Sequence, residues 1–117
     1  MTGHVYILVR QDIPLEHQIT QACHAALEMG LDLDRVQTAP WHLVTLAVPD
    51  ERALCEWHGK LSRAGIPARL FYEPDALDGI TPSAGFTALA TAPVTGQRRK
   101  HLARLPLWTA GNASDGG

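Results

Sequence analysis

Two short, almost unbroken apolar runs, HVYILVR at residues 4–10 and WHLVTLAV at 41–48, flank a longer stretch whose apolar residues recur at helical spacing. Runs of this length read as strands, and a strand that is apolar at nearly every position must be covered on both faces. A sheet with helices packed on each side meets that demand. The pattern then repeats: PDERALCEWHGKLSRAG places Leu54, Trp57, Leu61 and Ala64 at helical spacing and ends at Gly65. IPARLFYE (66–73) and FTALATAPV (86–94) read as a third and a fourth strand, with the turn-rich PDALDGITPSAG between them. The first helix is expected to begin at Pro14, with Glu16 at the positive end of its dipole, and to stop near Met29 and Gly30. Residues 31–40 form a connection with one short helical turn, and a basic helix near 95–104 followed by LPLW closes the fold.

Strand, helix, strand, helix, strand implies right-handed crossovers and an α/β three-layer sandwich. Its four-stranded sheet is expected to be mixed and mostly parallel, with 41–48 as a central strand. The dozen residues before the last strand permit one antiparallel pairing. At 117 residues, 45% of them hydrophobic, the chain suits a single domain over 1–108, and the small, polar residues 109–117 read as a disordered tail.

No apolar run approaches the roughly 20 residues that cross a bilayer, and the N-terminus lacks a secretory layout, so a cytosolic protein without membrane contact is expected. Cys23 and Cys55 show no CxxC spacing and read as reduced, buried thiols, with no metal site. Neither GxGxxG nor GxxxxGK[ST] occurs, so no nucleotide cofactor is expected. Net charge is −2, from ten Lys plus Arg against twelve Asp plus Glu, which argues against a general nucleic-acid binder. QRRKHLAR (97–104) nevertheless holds four of the ten basic residues, so Arg98, Arg99 and Lys100 are candidates for a local binding patch, or else simply solvate a surface helix.

The chemically richest stretch is HQITQACHA (17–25). At about 100° per residue, His17, Gln21, His24 and Glu28 share one stripe, and Leu15, Ile19, Ala22, Cys23 and Ala26 lie opposite. Periodicity alone makes the quartet the solvent face of an amphipathic helix. The seven-residue separation of His17 and His24 does not suit one metal ion, and Thr87 and Asp75 have ordinary readings as a strand residue and a turn residue.

The order of landmarks adds to this. LVRQD ending the first strand, then Q-x-C-H-A-A on the helix, RAGIPARLFYE and TALATAP together resemble the class II peptidyl-tRNA hydrolases over residues 4–108. Arg10 and Asp12 match the arginine and aspartate that end that family's first strand, Gln21, His24 and Ala25 match its helix motif, and His17 stands where the family has lysine. Between AGIP and Thr87 the family's Asp-Ala-Gly-Arg-Thr is not preserved. Counting back from Thr87 puts Asp75 on the family's acid, whereas counting forward from AGIP puts Glu73 there.

The resemblance implies metal-independent hydrolysis of the ester between a peptidyl or acyl group and tRNA, by a homodimer. It implies His17, Gln21, Thr87 and Asp75 as catalytic residues, with Glu73 and His24 binding substrate, and the basic run adds Arg98, Arg99 and Lys100 as substrate-binding candidates. An ester needs only a positioned water, an acceptor for its proton and donors for the oxyanion. Gln21 orients the water or the carbonyl, Thr87 supplies a hydroxyl, and Asp75 or Glu73 holds the water. Histidine in place of lysine exchanges a fixed cation for a side chain able to accept a proton near neutral pH. A small-molecule ester or amide hydrolase and an inactive binding module are the competing readings.

Overall fold

The computed structural model describes residues 3–33 and 41–110. The connection expected over 34–40 and the tail from 111 onward lie outside the described residues. Within them the order is β1 (His4–Arg10), α1 (Leu15–Asp32), β2 (His42–Val48), α2 (Glu51–Arg63), β3 (Ala68–Glu73), β4 (Gly85–Thr91) and a 3-10 helix, Gly96–Leu102. The four predicted strands and the first two predicted helices are present, and the basic segment forms a 3-10 helix; the short turn expected between 31 and 40 falls mostly outside the described residues.

The strands form one sheet in the order β2-β1-β4-β3. The sheet is mixed, but only the β1·β2 ladder is parallel, while β4 runs antiparallel to both β1 and β3. The loop between β3 and β4 returns the chain directly beside β3, so no crossover helix separates them. The expectation of a mostly parallel sheet is corrected on this point.

The placement of β2 is corrected too. It lies at the sheet edge, where His42 and Leu43 are exposed and only Leu46, Ala47 and Val48 are buried. The LPLW segment protects that buried half. Ala47 N–H donates to Pro106 O at 2.9 Å and Trp108 N–H to Thr45 O at 2.8 Å, which occupies the free edge and closes it to a further strand.

Alternation along the strands divides the core in two. Tyr6, Leu8, Leu46, Val48 and Leu89 pack with Leu54 and Leu61 of α2. Ile7, Val9, Ala88 and Ala90 pack with Ala25 and Met29 of α1 on the other face. Alanines at 25, 88 and 90 put little bulk between α1 and β4, so the helix lies close to that strand. At the start of α2 the Asp50 side chain accepts from Ala53 N–H at 2.9 Å, and Gly65, at φ +74°, turns the chain out after its last residues.

The buried face of α1 is rotated from the expected one: Ala22 and Ala26 of the expected apolar side pack against the core only in part, and of the polar stripe Gln21 is buried and His24 exposed. The buried residues of the helix are Gln18, Gln21, Ala25 and Met29, whereas Leu15, Ile19, Leu27 and Leu31 are exposed. Cys23 and Cys55 are exposed as well, against the expectation of buried thiols. The reason is tertiary: α1 turns toward β3 and β4 the side that carries the groups able to bond those strands.

Candidate functional site

The polar stripe of α1 lies along β3 and meets it residue by residue. Arg69 pairs with Glu28 at 2.7 Å and with Asp32, the His24 ring stacks flat on Phe71 with centroids 4.7 Å apart, and Gln21 meets Glu73. Successive steps of three or four residues on the helix match steps of two on the strand, which is what the two periodicities allow. Glu28 and Asp32 both hold the Arg69 guanidinium above its usual pKa, Asp32 by its hydrogen bond most of all.

Gln21 is at the centre. Its side chain is 1% exposed, and a carboxamide so enclosed requires partners for both ends. Its Nε2 donates to Glu73 Oε1 at 2.9 Å, and its Oε1 accepts from Thr87 Oγ1 at 2.5 Å. The direction is fixed by chemistry: an ionised carboxylate only accepts, so Gln21 must turn its NH2 toward Glu73, and Thr87 must supply the hydrogen to the amide oxygen. The result is a one-way relay from Thr87 through Gln21 to Glu73. Among the described residues the other oxygen of Glu73, Oε2, meets only the Asp75 amide, at 3.4 Å, and Glu73 is half-buried, so this oxygen is the chemically available end.

Thr87 reaches α1 because β4 is irregular there. Phe71 pairs with Ala88 and Tyr72 with Phe86, which leaves Thr87 as an extra residue opposite the step from 71 to 72. Phe86 packs with the α2-side core and Ala88 with the α1-side core, yet Thr87 also bonds α1. The bulge thus breaks the alternation and turns two consecutive residues to one face. A strand pattern read from sequence carries no sign of it.

His17 lies one turn before Gln21 on the same stripe, at a spacing that makes the two side chains neighbours on the helix surface. It is half-buried, and its imidazole has no hydrogen-bonding partner among the described residues.

The other predicted residues are not brought to this point. The Asp75 side chain is exposed, while its backbone carbonyl accepts from Ala84 N–H at 2.9 Å and closes the loop. Of the two acids left open by the sequence, Glu73 is the one in contact with Gln21. His24 is engaged with Phe71. Arg98 donates to the carbonyls of Ala64 and Gly65, both at 2.9 Å, and so finishes α2. Arg99 donates to the Tyr6 hydroxyl at 3.0 Å on the α2 side of the sheet, where it and Lys100 border a cavity of about 370 Å³. The basic segment and the Gln21 relay are therefore on opposite faces.

Two features escaped the sequence reading. Gln18, also 1% exposed, donates to Ile13 O at 2.9 Å and accepts from Trp108 Nε1 at 2.7 Å, which ties the C-terminal segment to α1. Arg10 and Asp12 were legible only as family landmarks. Arg10 donates through Nε and Nη2 to Asp12 at 2.7 and 2.9 Å and through Nη1 to Ala84 O and Phe86 O at 2.7 and 3.2 Å. The Asp12 hydrogen bonds raise its pKa further above the usual arginine value; partial burial opposes this, and the charges of Asp12, Glu51 and Asp50 reinforce it.

Among the described residues no helix is long and apolar enough to cross a membrane, and no group of three or more His, Cys, Asp or Glu side chains is arranged to hold a metal ion. No curated protein matches the chain. A solved structure of a protein of unknown function from Agrobacterium tumefaciens strain C58 is similar at 12% identity, with a TM-score of 0.66 over 93% of this chain and 99% of that one; the likeness is one of fold. Residues 4–104 match the family model of peptidyl-tRNA hydrolase PTH2, and with so much of its length covered the chain belongs to that family.

Proposed function

We propose that the chain hydrolyses the ester between an acyl or peptidyl group and tRNA, in the cytosol, with Glu73 and His17 as the groups that act on the substrate. The observation that carries this reading is the relay that ends on Glu73, supported by the family match. Thr87 and Gln21 are too enclosed to meet a substrate themselves, at 0% and 1% exposure. Their part is to hold one oxygen of Glu73 and leave the other to accept a hydrogen from the attacking water. The imidazole of His17, unpartnered among the described residues, takes the water's proton as the oxygen bonds to the ester carbonyl, and returns it to the ribose oxygen as its bond to the carbonyl carbon breaks. In this reading Asp75 has no catalytic part.

The test is release of tRNA from an N-blocked aminoacyl-tRNA by the purified chain. Glu73→Gln and His17→Ala are each expected to slow it by at least about tenfold, the usual scale for losing an acid–base group being tenfold to ten-thousandfold. Full activity in both variants contradicts the assignment.

One observation favours a second reading. Arg98 and Arg99 are committed on the far face of the sheet, so the basic segment does not adjoin Glu73. A small ester or amide substrate needs no such surface. Salt separates the two, because turnover of tRNA weakens steeply as counterions compete and turnover of a small neutral substrate does not.

The chain is further proposed to pair as a homodimer through the outer side of α1. Leu15, Ile19, Leu27 and Leu31 stand on that side between 39% and 77% exposed. With Cys23 they recur every four residues, forming a ridge of the kind that packs against a second helix.

A further inference from the structure

We infer that Arg10 and Glu51 are positioning residues that set the direction of Thr87 by gripping the peptides just before it, from the face of the sheet opposite Gln21. The inference deepens the proposed hydrolytic reading and rests on it for its functional consequence, but its structural core can be measured without any substrate.

The grip falls on residues 84–86. Glu51, in the first turn of α2, accepts from Phe86 N–H through Oε2 at 2.7 Å. Arg10, at the end of β1, holds the carbonyls of Ala84 and Phe86 through one Nη1. The two sides of Phe86 are therefore fixed by opposite charges from two different elements, with charge-assisted bonds on both its amide and its carbonyl. The Arg10 side chain is only 12% exposed, and its remaining edge is held by Asp12, so it has little freedom to release the loop.

Gly85 shows how close this approach is. Its φ of +79° lies where side chains are strained, and a Cβ built there comes within 2.3 Å of Glu51 Oε2. Glycine is needed at 85 both for the turn and to admit the carboxylate.

The consequence for the site follows from the bulge. The carbonyl of Phe86 belongs to the peptide plane that leads into Thr87, and Thr87 is the extra residue that the ladder with β3 does not itself pin. If that plane rotates, the Thr87 hydroxyl swings away from Gln21. Arg10 fixes the plane through the Phe86 carbonyl, and Glu51 fixes the preceding one through the Phe86 amide. Among the described residues neither side chain bonds Gln21 or Glu73, so both act through backbone.

The experiment follows the Gln21 side-chain NH2 signals in a ¹H–¹⁵N spectrum of the full chain, alongside kcat and KM for N-blocked aminoacyl-tRNA. Glu51→Ala is expected to move the Gln21 signals toward those of a free carboxamide and to lower kcat by about tenfold with little change in KM, as loss of transition-state geometry requires. Glu51→Gln keeps an oxygen for the Phe86 amide and restores both readouts. Arg10→Lys, whose single amine cannot span two carbonyls and Asp12, reproduces the Glu51→Ala shift and serves if Glu51→Ala does not fold. Asp50→Ala removes the neighbouring cap of α2 without touching 84–86, and leaves the Gln21 signals in place. Unmoved Gln21 signals in folded Glu51→Ala or Arg10→Lys overturn the inference, as does an equal shift in Asp50→Ala. A chain that hydrolyses nothing but shows the expected shifts leaves the positioning role standing and removes only the hydrolytic reading.

Discussion

Thr87 and Gln21 illustrate how much one buried hydroxyl is asked to do. The Gln21 oxygen accepts from Thr87, so removing the hydroxyl while keeping the shape strands a buried acceptor. Thr87→Val is expected to lose about 1–3 kcal/mol of unfolding free energy in urea titrations, and Thr87→Ser, which keeps the hydroxyl, about 1 kcal/mol or less. Equal stability of Thr87→Val and the parent chain contradicts the relay. At this scale the sequence was legible only through its likeness to a family. Gln21 and Thr87 stand at matching positions, but nothing local distinguishes a threonine that bonds a helix from one that simply suits a strand. The choice between Glu73 and Asp75 was not decidable from spacing, because the insertion in the loop shifts the count by two. The pleat brings Glu73 to Gln21, in step with Arg69 and Phe71, whereas Asp75 lies past the end of β3, and on this the proposal of Glu73 rests.

Among the elements, α2 was the most legible, since Pro49, Asp50, Glu51 and Gly65 mark its ends by local chemistry that needs no tertiary partner. Asp50→Ala is expected to cost about 1 kcal/mol through loss of its bond to Ala53, measured as a lower urea midpoint with unchanged slope. An unchanged midpoint removes the cap from the account. α1 was read with its buried face rotated, for a physical reason. Its interior side is made of glutamines and small alanines whose burial depends on partners in β3, β4 and the C-terminal segment, while its large aliphatic residues point outward. Hydrophobic periodicity finds the stripe but does not say which side a sheet with polar groups of its own will accept. The β4 bulge and the edge position of β2 were illegible for a related reason: both are set by pairing between distant strands.

On the scale of the whole molecule, the outward ridge of α1 and the relay beneath it make separate predictions. Ile19→Glu combined with Leu27→Glu is expected to halve the mass found by sedimentation equilibrium at micromolar concentration with the circular dichroism spectrum retained, because charges on an apolar interface are left unpaired. A parent chain that sediments as a monomer contradicts the dimer. The central claim, that a carboxylate held by Thr87 and Gln21 cleaves an acyl-tRNA ester, is tested most directly by single-turnover release of tRNA from N-blocked aminoacyl-tRNA with the parent chain, Glu73→Gln and Asp75→Asn. Glu73→Gln is expected to slow release by at least about tenfold while Asp75→Asn stays within about twofold of the parent. Loss of activity in Asp75→Asn with Glu73→Gln unaffected, or no release by the parent chain at all, contradicts it.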